Sequence, residues 1–148
     1  MFAKVAVALL ISSALFVGCR SSKDDAPKPT AASEQASSAI REVGVAQVAA
    51  FVKDKSATIL DANGAETRKE YGVIPGAVLL TSSREYAVDT LPASKASKLV
   101  FYCGGTMCRA SDNAAARAVA AGYNDVSVLR EGIKGWKKAG QPTDMPRS

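Results

Sequence analysis

Residues 101–111 read F-Y-C-G-G-T-M-C-R-A-S and place two thiols, Cys103 and Cys108, and a guanidinium, Arg109, on one short turn. An apolar run ends at Cys103, and an alanine-rich stretch opens at Ser111. A thiol at such a junction becomes a nucleophile when its anion is stabilised. Helix N-termini and neighbouring cations lower cysteine pKa values from about 8.5 to about 3.5–7.5. Gly104 and Gly105 are expected to take positive φ and turn successive N–H groups inward, making a concave nest for an anion. Arg109 adds a permanent charge and a fork of donors matched to tetrahedral oxyanions. The expected site is a Cys103 thiolate inside a binding loop of Gly104, Gly105, Thr106, Met107, Cys108 and Arg109. Cys108 keeps two readings: a small apolar filler, or a thiol that resolves Cys103.

Such a loop needs a strand before it and a helix after it. Leu99–Tyr102 reads as a buried strand, and Asp112–Ala121 as a helix with Ser111 as its N-cap and Gly122 as its stop. Val45, Val48, Ala49 and Val52 recur at helical spacing and predict a helix over Val45–Val52. Ala57–Asp61, Val78–Leu80 and Val126–Leu129 predict strands, Thr67–Tyr71 a single helical turn, and Ile133–Ala139 a last helix before Gly140. Ile74-Pro75-Gly76-Ala77 forces a turn, and Ser82–Ala96 holds one further short helix. Strands alternate with helices, and several strands are continuous apolar runs. This predicts an α/β fold with a mainly parallel sheet covered by helices on both faces. Ligands of such sheets bind beyond the carboxyl ends of the strands, where Cys103 and Asp61 both fall. Asp61 also keeps two readings, an acceptor standing behind the loop or a turn-capping aspartate.

With 148 residues the chain allows one domain, and 47% hydrophobic residues are enough for its core. The net charge of +5 comes from scattered Lys and Arg, without a basic run or an aromatic-rich face, so nucleic-acid binding is not expected. The absence of histidine removes Ser-His-Asp and Cys-His catalysis and every histidine-based metal site. No metal and no cofactor are expected. Three cysteines, one of them near the N-terminus, are not a disulfide framework.

Met1–Lys4 forms a short positive region, and Val5–Val17 an apolar one too short to span a bilayer core of about 30 Å. Together they read as an export signal. Its end, Phe16-Val17-Gly18-Cys19, resembles a bacterial lipobox, which implies lipidation of Cys19 and a membrane anchor; ordinary cleavage after Ser12-Ser13-Ala14 is the rival reading. Residues 20–38 are polar and rich in small residues and proline, a composition that reads as a tether. The expected organisation is a signal over 1–18, a tether over 19–39, a domain over 40–144 and a tail over 145–148.

From about Val45 to Pro142 the chain resembles a single rhodanese-like domain. The matching stretches are Ile59-Leu60-Asp61, Tyr71-Gly72-Val73-Ile74-Pro75-Gly76-Ala77, Val100-Phe101-Tyr102-Cys103, Gly132-Ile133-Lys134-Gly135-Trp136 and Ala139-Gly140-Gln141-Pro142. The resemblance implies a rhodanese-like α/β fold. It also implies that Cys103 takes a sulfane sulfur from a small anion such as thiosulfate and passes it to a thiol or a cyanide-like acceptor. The export signal and lipobox imply a cell-envelope location, and a monomer is expected. Val73 stands where the family usually has histidine, Tyr102 likewise precedes the cysteine in place of histidine, and Asn63 lies near a usual arginine. Arg109 completes Cys-x5-Arg, one residue longer than the commonest sulfurtransferase spacing and equal to that of cell-cycle dual-specificity phosphatases sharing the fold. Three alternatives follow: thiol redox chemistry on Cys103 and Cys108, a non-catalytic binding module, and phosphatase or arsenate-type activity.

Overall fold

The computed structural model describes residues 39–146, so Cys19, the export signal and most of the tether lie outside the described residues. The elements are β1 Ile40–Val43, α1 Val45–Asp54, β2 Thr58–Asp61, α2 Ala65–Tyr71, β3 Val78–Leu79, a 3-10 turn Val88–Thr90, β4 Leu99–Tyr102, α3 Ala110–Ala120, β5 Val126–Leu129 and α4 Gly132–Lys138. The strands form one five-stranded sheet in the order β1-β5-β4-β2-β3. Every pairing is parallel.

β4 lies between β5 and β2 and is buried along its whole length. Side chains alternate across a strand, and this alternation decides where the thiol points. Leu99, Phe101 and Cys103 pack on one face with Ala114, Ala115 and Ala118 of α3. Val100 and Tyr102 pack on the other with Val48 of α1 and Ile133 and Trp136 of α4. α3 thus covers one face, and its buried alanines let it approach the sheet closely. The segment after β3 completes that layer with Leu80, Tyr86 and Leu91. The Tyr86 hydroxyl donates to the Ala114 carbonyl at 2.9 Å, and Arg117 Nε donates to the Tyr86 carbonyl at 3.0 Å.

The chain end is tied across the opposite layer. Val73 and Asp144 exchange backbone hydrogen bonds at 2.8 and 2.9 Å, and Trp136 Nε1 donates to the Pro142 carbonyl at 2.7 Å. β1 has no counterpart in the pattern reading. Its residues Arg41 and Glu42 are exposed at the sheet edge, so hydrophobic periodicity does not reveal it. The short helix expected within Ser82–Ala96 is the 3-10 turn at Val88–Thr90.

Candidate active site

Cys103 follows the last residue of β4 and continues its alternation, so its side chain turns toward the first turn of α3 and is buried. Ser111 Oγ and Cys103 Sγ lie 3.3 Å apart, and the Cys103 thiol donates to the Cys108 carbonyl at 3.3 Å. The Cys108 N–H donates back to the Gly105 carbonyl at 2.9 Å, which closes a tight turn and folds Cys108 over Cys103. α3 begins at Ala110 with Arg109 in the capping position, two residues before the expected start. Ser111 is therefore not the N-cap. It lies inside the first turn, and its hydroxyl is directed at the cysteine sulfur instead of a helix N–H.

The two glycines of the loop do not take positive φ; the positive-φ glycine at the site is Gly132, at 58°. A Cβ on Gly132 would lie 2.3 Å from the Cys103 carbonyl oxygen and 2.7 Å from the Gly105 nitrogen. The close approach that shapes the cradle thus comes from the start of α4. Ile133 N–H donates to the Cys103 carbonyl at 2.8 Å, and Lys134 N–H to the Gly104 carbonyl at 3.2 Å, which pins the first residues of the loop. The sequence signal for this wall was Gly132-Ile133-Lys134-Gly135-Trp136, read as a family stretch and not as part of the site.

The loop opens on a cavity of about 370 Å³ lined by Gly104, Gly105, Thr106, Met107, Cys108 and Lys134. Cys108 reaches that opening, while Cys103 lies behind it. Met107 is almost fully exposed at the loop tip. Arg109 is not brought to the cavity: its side chain is 80% exposed, and its Nε lies 3.2 Å from Asp112 Oδ2. The Lys134 ammonium is also turned away, over the Tyr71 ring at 5.1 Å. What the site presents to an anion is the start of α3, where the first helical N–H groups lack intrahelical partners.

Burial pushes the Cys103 thiol above its ordinary pKa, and the hydrogen bond with Cys108 adds to this; Ser111, through side chain and N–H, works against both. Burial also raises Cys108, but hydrogen bonds from Cys103 and from the Ala110 and Gly104 N–H groups outweigh it and bring that thiol down. The Cys103 thiol is thus pushed up and the Cys108 thiol drawn down, whereas the helix-start argument expected Cys103 to be lowered. The reason is depth: Cys103 is enclosed by the core it belongs to.

Asp61 accepts hydrogen bonds on both carboxylate oxygens. It is fully buried; its Oδ1 accepts the Asn63 N–H at 2.6 Å, and its Oδ2 accepts the Tyr102 hydroxyl at 2.6 Å. Tyr102 in turn accepts the Ile74 N–H at 3.0 Å, and burial beside Asp61 drives its own pKa far up. Arg68 joins β2 to the residue after β3 by donating to the Asp61 and Leu80 carbonyls at 3.1 and 2.9 Å, with Nε 3.3 Å from Asp61 Oδ1. Asp61 is thus joined by this hydrogen bond to Tyr102, the residue before the cysteine. Asn63 is buried beside Gly104, and its Nδ2 has no hydrogen-bond partner among the described residues. Among the described residues no cluster of Cys, Asp and Glu side chains converges as a metal site.

Residues 44–139, more than half of the chain, match the model of the rhodanese-like domain. The chain belongs to the rhodanese-like family. The solved structures agree on the fold. A protein of unknown function from Rhodopseudomonas palustris, described as a possible tyrosine phosphatase, superposes with a TM-score of 0.62 at 22% identity, covering 84% of this chain and 100% of its own. A protein from Anabaena gives 0.57 at 25% identity, over 68% of this chain and 79% of its own. A rhodanese-related protein from Thermoplasma volcanium gives 0.51 at 20% identity, over 69% and 95%. No curated protein matches the chain. Cys103 lies within the matched residues, in the loop between β4 and α3.

Proposed function

We propose that this rhodanese-like protein is an exported sulfurtransferase. Cys103 takes a sulfane sulfur from a small anion such as thiosulfate and passes it to a thiol or cyanide-like acceptor. The observation that carries the reading is the placement of the Cys103 sulfur at the first turn of α3, against Ser111, beneath a loop held by α4. The thiolate attacks the outer sulfur of thiosulfate, the S–S bond breaks, and sulfite leaves with the electron pair. The terminal sulfur of the resulting persulfide carries a negative charge into a region of N–H and O–H donors, where such preorganised groups are most effective. An acceptor nucleophile then takes that sulfur, and the Cys103 thiolate leaves. Splitting the exchange in two is ordinary covalent catalysis.

The phosphatase reading of Cys-x5-Arg needs the Arg109 fork to face the loop, whereas Arg109 is exposed and paired with Asp112. This favours sulfur transfer. The test is thiocyanate formation from thiosulfate and cyanide, expected in the wild type and lost in Cys103→Ser. Equal rates in both would overturn the reading. Export is proposed from the apolar N-terminal stretch that ends at Cys19. Cys19→Ala is expected to yield a soluble form or an unprocessed precursor, and unchanged membrane fractionation would contradict the anchor.

A further inference from the structure

We propose that Cys108 resolves the Cys103 persulfide, so that the loop releases hydrosulfide and closes as a Cys103–Cys108 disulfide. This rests on the sulfurtransferase reading and adds an activity to it: two-electron reduction of the sulfane sulfur by the protein's own thiol pair.

Three observations carry the step. The Gly105–Cys108 turn folds the second cysteine over the first, with the Cys103 sulfur 3.3 Å from the Cys108 carbonyl. Both sulfurs lie at the start of α3, Cys103 beside the Ser111 hydroxyl and Cys108 receiving the Ala110 N–H. Cys108 lines the open cavity while Cys103 is buried and does not, so the resolving thiol is the one of the pair that solvent and a reductant reach. The Ala110 and Gly104 N–H groups, which remain when Cys103 carries the extra sulfur, draw the Cys108 thiol down and favour it as the attacking thiolate.

The step balances without an outside oxidant. The Cys108 thiolate attacks Cys103 Sγ, the new Sγ–Sγ bond forms, and the bond from Cys103 Sγ to the sulfane sulfur breaks. That sulfur leaves with the pair as hydrosulfide, and the proton lost by Cys108 balances it. Summed with loading, thiosulfate and two thiols give sulfite, hydrogen sulfide and one disulfide. A dithiol reductant, as a separate reactant, returns the loop to its starting state. A Cys108 that only filled an apolar niche would leave the persulfide intact until an external acceptor arrived.

The experiment uses reduced, oxygen-free protein, loaded in one arm with thiosulfate and in the other with inorganic polysulfide, which loads a thiolate without needing the anion cradle. Intact mass, sulfite and hydrosulfide are read for wild type, Cys108→Ser and Cys103→Ser, with circular dichroism as the check on folding. In the thiosulfate arm the wild type is expected to lose two hydrogens and release one hydrosulfide per sulfite. Cys108→Ser is expected to gain one sulfur atom and release sulfite alone. A wild type that holds the extra sulfur as stably as Cys108→Ser, in either arm, overturns the proposal. No sulfite from thiosulfate, together with a disulfide after polysulfide, overturns the donor reading and keeps the resolving step.

Discussion

At the end of β2, Asp61 is fully buried and both its carboxylate oxygens are taken, one by Tyr102 and one by the Asn63 N–H, with Arg68 alongside. One strand over, the loop after β4 presents mostly backbone to its cavity, and its cationic side chains, Arg109 and Lys134, are turned to Asp112 and Tyr71. The first region is wired by side chains and closed to solvent. The second is shaped by backbone contacts with Gly132, Ile133 and Lys134 and is open. The contrast divides the labour. The buried network holds the end of β4, and backbone hydrogen bonds to the start of α4 hold the loop that follows it.

The largest expected effect comes from cutting the wired region. Asp61→Ala strands Arg68 and the Tyr102 hydroxyl in the core, and breaking a buried pair costs about 3–5 kcal/mol. Denaturant unfolding is expected to show a loss of that order. A loss below about 1 kcal/mol would mean that Asp61 does not hold the strand ends.

Next is the junction of the two regions. Gly132→Ala combines a left-handed backbone cost of roughly 1–2 kcal/mol with overpacking of about 1–3 kcal/mol. The displaced wall is expected to lower sulfite release from thiosulfate more than the stability loss alone accounts for, measured well below the unfolding midpoint. Activity preserved alongside the stability loss would separate the loop from its wall.

A smaller effect tests the thiol pair. The hydrogen bond with Cys108 and its nearby charge both raise Cys103, so removing that thiol moves Cys103 down. The pH profile of sulfite release, which rises as the Cys103 thiolate forms, is therefore expected to shift to lower pH in Cys108→Ser. Superimposable profiles would show that the two sulfurs do not set each other's acidity.

Arg109→Ala is expected to do least. Stability should change by no more than about 0.5 kcal/mol, as for exposed positions generally. The thiosulfate KM should rise modestly, by an amount that added salt removes. Arg109→Lys should match the wild type. A large KM increase that lysine does not restore would show that the guanidinium leaves Asp112 to fork the donor.

The apolar runs made the sheet legible: Leu99–Tyr102 and Val126–Leu129 lie where pattern alone put them, because strands buried on both faces read as nearly continuous apolar runs, with Ser127 the one small polar residue in β5. Cys103 was legible for the same reason, as the residue where such a run stops before a helix. β1 was not, because an edge strand half-exposed to water has no such signature. The positive-φ requirement was assigned to Gly104 and Gly105 from their place in the loop, but it belongs to Gly132, distant in sequence and adjacent in space. Ser111 was read from local capping preference, and its hydroxyl is directed at the cysteine sulfur instead, a tertiary contact that no local rule contains.

The most direct test of the central claim is a single-turnover measurement of sulfite released when reduced protein meets thiosulfate. The account predicts one sulfite per wild-type chain, with a rate that rises with pH, and none from Cys103→Ser. Sulfite released by Cys103→Ser at the wild-type rate would contradict it, by showing that Cys103 is not the sulfur that attacks.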